Sequence, residues 1–159
     1  MYHAYMGIDP GATGAFCVYI PQLDKLLFKD NKNSSYHIML WIESIKFTYN
    51  LKLVYIEEVH SLFGMSAKSN FSFGWNVGIP HTILNCLGII PKLVQPKVWQ
   101  KHIKVTSKGK EIKKEVAEIC KQLYPECREL VFGPKGGLMD GRTDALMIMH
   151  YGYSKYMGK

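Results

Sequence analysis

At 159 residues, 47% hydrophobic and 21% charged, the chain is long enough for one domain with a sizeable core and too ordinary in composition to be disordered or fibrous. It has no run of about 18 uncharged apolar residues and no basic segment leading into an apolar one, which argues against a membrane span and a signal peptide. The net charge is +7 and 18 of the 20 basic residues are lysines, point charges that suit phosphate better than the base edges arginine forks to.

In chain order, residues 3–9 and 14–20 are rich in β-formers and joined by DPGAT, a short hairpin-like turn. A third strand is expected near 24–30. Ser34 or Ser35 caps a helix over about 35–49, with Ile38, Trp41, Ile42 and Ile45 on one stripe. LKLVYIEEVH, residues 51–60, reads as a central strand covered on both faces. Residues 61–70 read as a loop, 71–88 as a buried helix interrupted near Pro80, and 91–96 as a short strand ended by proline. A small helix begins at Lys97. Residues 110–125 form a strongly amphipathic helix with Ile112, Val116, Ile119 and Leu123 on one side, and 140–156 form the last helix after the loop GPKGG. This order predicts one α/β domain over residues 1–159, with a mixed five-stranded sheet flanked by helices.

Acids have poor strand propensity, so an aspartate ending the first strand needs a reason. Asp9 either caps the turn through Pro10, Gly11 and Gly14 or holds a charge. Glu57 and Glu58 end VYIEE on opposite faces, so only one turns inward. Asp140 and Asp144 are spaced i,i+4 and share a helical face. Singly, each has a structural reading as turn opener, solvated strand end, N-cap or first-turn acid. As a set they lie on three segments that meet if the first strand neighbours the 51–60 strand and the last helix starts over their ends. Converging carboxylates repel and are costly to desolvate. A hard divalent cation removes that cost. Two such ions about 3.5–4 Å apart activate water and stabilise the leaving oxygen in phosphodiester hydrolysis.

GIDPGATGAF, VYIEEVH, PKVWQKH with its lysine-rich helix, and DGRTDALMIMHYG occur in that order over roughly residues 5–153. This set resembles the RuvC-like Holliday junction resolvases, most closely their bacteriophage branch. The resemblance implies a ribonuclease H-like fold, a homodimer, and paired symmetric nicking of four-way and other branched DNA junctions with Mg²⁺ or Mn²⁺, two ions per site. By motif position it makes Asp9 the first metal ligand, Glu57 the second and Asp144 the helix ligand. Asp140 is the candidate for an additional acid, spaced one residue further away than in the bacterial enzymes. Lys113, in KKEV, corresponds to a lysine that approaches the scissile phosphate, with Lys110 second. His60 stands where relatives place an aromatic that enters the junction, and Phe63 is its alternative. The implied location is the cytoplasm, that of the bacterial host if the chain is viral.

Lys97, Lys101, Lys104, Lys108, Lys110, Lys113 and Lys114 face a single acid, Glu111, over residues 97–114. Such a patch neutralises several phosphates, or is simply a solvated face. Phe71, Phe73 and Trp75 read as core rather than as platforms for unpaired bases. The four cysteines contain no C-x-x-C pair, so reduced thiols are expected and a zinc site is not. Two competing readings keep the same acids: a ribonuclease H acting on RNA–DNA hybrids, and a branched-DNA binder without activity. An actin-like kinase would share the GIDPGATG turn but needs two such domains.

Overall fold

The computed structural model describes residues 1–60, 64, 66–133 and 135–158. Its elements are β1 (His3–Ile8), β2 (Ala15–Ile20), β3 (Lys25–Asp30), α1 (Ser35–Thr48), β4 (Asn50–Glu57), α2 (Ala67–Cys86), β5 (Lys92–Val94), α3 (Pro96–His102), α4 (Glu111–Leu123) and α5 (Asp140–Tyr156). The strands form one sheet in the order β3-β2-β1-β4-β5. β1, β2 and β3 make an antiparallel meander, while β1/β4 and β4/β5 pair in parallel. The mixed five-stranded α/β sheet expected from the sequence is the one observed.

Strand alternation divides the interior in two. Ala4, Met6, Ile8, Val54 and Ile56 point to one face and meet Ile38, Ile42 and Ile45 of α1 and Ile83 and Leu84 of α2. Tyr5, Ala15 and Cys17 point to the other face and meet Trp99 of α3, Val116 and Cys120 of α4, and Ala145–Met149 of α5. Ser34 is the residue that caps α1, accepting from the His37 N–H at 3.3 Å.

α5 lies almost on the backbone of the sheet. A Cβ on Gly7 would stand 2.2 Å from the Met149 nitrogen, and one on Gly141 would stand 2.1 Å from the Thr13 carbonyl oxygen. Only glycine admits so close an approach. It brings the first turn of α5 onto the β1–β2 turn that carries Asp9.

Three expectations need correction. The central strand is β1, and β4 lies beside it. β5 covers only Tyr55–Glu57, so the first half of β4 has one neighbour and remains partly exposed despite its apolar sequence. α2 starts at Ala67, capped by the Ser66 side chain, and runs unbroken through Pro80. Proline removes one helical hydrogen bond, and here the buried Pro80 ring and the contact of α2 with α1 outweigh that loss. Phe71 and Trp75 are not core: they are 74% and 66% exposed. Among the described residues, no helix is long and apolar enough to cross a membrane. The four cysteines are free thiols, three of them buried.

Candidate active site

The parallel pairing of β1 with β4 sets Ile8 beside Ile56. One residue further on, Asp9 and Glu57 leave the sheet at the same end. Because Ile8 and Ile56 face α1 and α2, alternation turns Asp9 and Glu57 to the opposite face, toward α5. α5 begins there with Asp140 and presents Asp144 one turn later. Three segments far apart in sequence thus meet at one corner of the fold.

Asp9 both caps the turn and carries a charge into the site. Its Oδ1 accepts the Gly11 N–H at 2.9 Å. Asn31, at the end of β3, braces the same turn by donating Nδ2 to the carbonyls of Pro10 (3.0 Å) and Gly11 (2.7 Å). Burial pushes the Asp9 carboxyl up, opposed by the Gly11 N–H and reinforced by the charge of Asp140.

Glu57 is held from the helix that follows β5. Trp99, on α3, is fully buried and donates its indole N–H to Glu57 Oε1 at 2.8 Å. Burial raises Glu57 to about 7, against the Trp99 hydrogen bond and with the charge of Asp9. Asp144 is raised further, to about 8, by burial and then by the charges of Asp9, Glu57 and Asp140. Asp140 sits at the rim and forms an ion pair with Lys113 of α4. That ammonium is held protonated first by the Asp140 hydrogen bond, then also by the charges of Asp144 and Asp9.

Glu58 turns away from this cluster and lies 3.8 Å from the exposed His60. Phe63 lies outside the described residues. Lys97 and Lys101 are exposed on α3, Lys104, Lys108 and Lys110 on the segment between α3 and α4, and Lys113 and Lys114 in the first turn of α4. Behind the site, Arg142 holds Asp30 of β3 through two nitrogens, at 2.6 and 3.1 Å, and the Leu130 carbonyl at 2.6 Å, which ties the start of α5 to the sheet edge.

Sequence reasoning missed Trp99, Asn31 and Arg142. Trp99 had one usable signal, since a buried indole N–H requires a partner. Asn31 and Arg142 are isolated polar residues whose partners lie elsewhere in the chain, and no local pattern marks them.

The chain superposes on Thermus thermophilus RuvC in complex with its Holliday junction substrate with a TM-score of 0.60, at 15% identity, over 98% of this chain and 96% of that one. A second structure of Thermus thermophilus RuvC gives 0.54 at 18% identity with the same coverage. The chain has a RuvC-like fold. No protein-family model and no curated protein matches it, and at these identities the likeness carries the fold alone.

At this corner of the RuvC-like fold, the donor set is entirely carboxylate oxygen, which suits Mg²⁺ or Mn²⁺ and not a soft metal. Among the described residues, no three acids, histidines or cysteines stand close enough together to hold a metal ion as they are placed. Burial first, and then the charges of the neighbouring acids, raise the proton affinities of Glu57 and Asp144. A divalent cation would offset both costs, and the all-carboxylate donor set at this corner fits one in its chemistry.

Proposed function

We propose that this protein is a divalent-metal-dependent endonuclease that opens four-way and other branched DNA junctions by paired, symmetric nicks. The observation that carries the reading is the placement of Asp9 and Glu57 at the same end of paired β1 and β4, with the first turn of α5 and its Asp140 and Asp144 packed against that end. The substrate class comes from the motif order of the sequence and from the junction bound to the RuvC of like fold. On the motif order we also read the chain with the bacteriophage branch.

In this reading Asp9, Glu57 and Asp144, with Asp140 at the rim, hold Mg²⁺ or Mn²⁺, two ions per site. Bound there, the ions supply a nucleophile at neutral pH and Lewis acidity at the leaving 3′-oxygen. The chain's own groups do the rest. Gly11 fixes one oxygen of Asp9 and leaves the other for a cation. Trp99 fixes one oxygen of Glu57 in the same way. Lys113 exchanges Asp140 for the scissile phosphate and offsets the charge that builds there; Lys110 is the second candidate. Lys97, Lys101, Lys104, Lys108 and Lys114 hold the flanking strands by their phosphates. His60 or Phe63 meets the opened bases at the crossover.

Cutting two strands symmetrically calls for two sites related by a two-fold axis. Phe71 and Trp75 are exposed on α2 beside Tyr36 of α1, along an apolar groove of about 820 Å³. We read this face as the contact between two copies, checked by sedimentation of a Trp75→Lys variant, which should be monomeric.

The test offers a synthetic four-way junction, a linear duplex and an RNA–DNA hybrid, each with Mg²⁺ or EDTA. Paired nicks in the junction alone, and only with Mg²⁺, support the proposal. Preferential cutting of the hybrid would make the protein a ribonuclease H. Junction binding without Mg²⁺-dependent cutting would make it a binder.

A further inference from the structure

The segment between α3 and α4 carries Lys104, Lys108 and Lys110, all exposed. It turns twice through left-handed backbone, at Lys104 (φ 62°) and Gly109 (φ 59°). Glycine accepts that conformation freely, but lysine does so only when its surroundings impose it. Cations at the start of a helix also oppose its dipole, and Lys110, Lys113 and Lys114 stand at the start of α4. Left to itself, such a segment would be loosely ordered.

Glu115 of α4 holds it. One carboxylate oxygen accepts the Thr106 N–H at 3.0 Å and the Thr106 hydroxyl at 2.9 Å. The other accepts the Ser107 N–H at 2.7 Å and shares the Thr106 N–H at 3.1 Å. These hydrogen bonds hold Glu115 well below the usual carboxylate range, at about 2, so it stays charged at any pH the protein meets. Further back, Ile103 is buried and Val105 donates its N–H to the Gln100 carbonyl at 3.0 Å, which anchors the other end.

We propose that Glu115 is a positioning residue for nucleic-acid binding: it presets the lysine-bearing segment 103–110 against α4, in fixed relation to Lys113 at the acid cluster. The inference rests on the nuclease reading above and deepens it. A segment ordered beforehand loses little entropy when phosphates bind. The acid stands in a basic patch because its geometric effect exceeds its electrostatic one.

The two effects have opposite signs, and that makes the proposal testable. Removing a negative charge next to a stretch of chain that carries seven lysines over residues 97–114 should tighten DNA binding if charge alone matters. Removing a clamp should weaken it. Binding of a four-way junction is measured in EDTA, across a salt series, for the wild type, Glu115→Gln, Glu115→Ala and a Lys104→Ala/Lys108→Ala double variant. The dissociation constant should rise about tenfold in Glu115→Ala and about threefold in Glu115→Gln, whose amide keeps one acceptor oxygen. Amide exchange at Thr106 and Ser107 should quicken in both while the rest of α4 stays protected. In turnover with Mg²⁺, KM should rise more than kcat falls. Equal or tighter binding by Glu115→Ala would overturn the clamp, and so would a double lysine variant that binds like the wild type. A wild type that does not bind junctions at all would instead overturn the nuclease reading.

Discussion

In the proposed chemistry, single hydrogen bonds aim two of the acids. Asp9 is pinned by Gly11, Glu57 by Trp99, and the turn beneath Asp9 by Asn31. Partners of this kind commonly change metal affinity or activity about 10–100-fold when removed. Trp99→Phe keeps an aromatic ring in the core but loses the pyrrole ring and its N–H donor, so cleavage should fall within that range and Mn²⁺ affinity should fall with it, while junction affinity in EDTA holds. Unchanged cleavage would mean that Glu57 needs no aiming. At this scale the sequence was informative about the acids and silent about what aims them. Asp9 and Glu57 stand out because each ends an apolar strand, and Asp140 and Asp144 because they share a face at the start of the last helix. Trp99 lies 42 residues from Glu57 and Asn31 lies 20 from Gly11, and contacts at such separations leave no periodic trace.

The decisive placement among the elements is that of α5 against β1. Gly7 and Gly141 allow backbone to meet backbone, and that contact sets the helix start over the strand ends. An alanine Cβ at Gly7 would stand 2.2 Å from Met149 N and 2.3 Å from Ala145 O, atoms that cannot move aside independently. Overpacking of this kind costs about 1–3 kcal/mol and sometimes more. Gly7→Ala should sit at the upper end, with Tm lower by about 10 °C and cleavage reduced as α5 lifts. A variant as stable and active as the wild type would show that the contact is not tight. Most elements were legible from periodicity and punctuation: DPGAT, Ser34, the proline after β5 and the stripe of α4. The face of α2 was not. Phe71, Trp75 and Ile79 follow at i, i+4 and i+8, which is an apolar stripe in any reading. Such a stripe does not say whether the same chain covers it. The rank of β4 in the sheet was also hidden, because strand order depends on crossovers rather than on the composition of any one strand.

Across the whole molecule, the acid cluster ties stability to pH and, in the proposed metal site, to cations. Burial and mutual repulsion raise Asp144 from 3.8 to about 8 and Glu57 from 4.5 to about 7. Between about pH 4 and 8, the folded chain therefore keeps protons that the unfolded chain has released. The stability these groups contribute is full below about pH 4 and is lost as pH rises through 7 and 8. In EDTA, Tm should fall from about pH 5.5 to about pH 8.5, and Mg²⁺ should restore it most at the upper end, where a bound cation favours the ionised acids. Asp144→Asn should flatten the profile. A metal-free Tm that climbs over this interval would mean that the carboxylates are already neutralised by the fold.

The central claim is that carboxylates from β1, β4 and α5 form one cation site. Titrating Mn²⁺ into the wild type, Asp9→Asn, Glu57→Gln and Asp144→Asn at about pH 8, followed by calorimetry, tests it most directly. The account predicts that the wild type binds and that each single change weakens binding at least about tenfold, although the three residues come from different parts of the chain. Equal Mn²⁺ binding by all four proteins would contradict it.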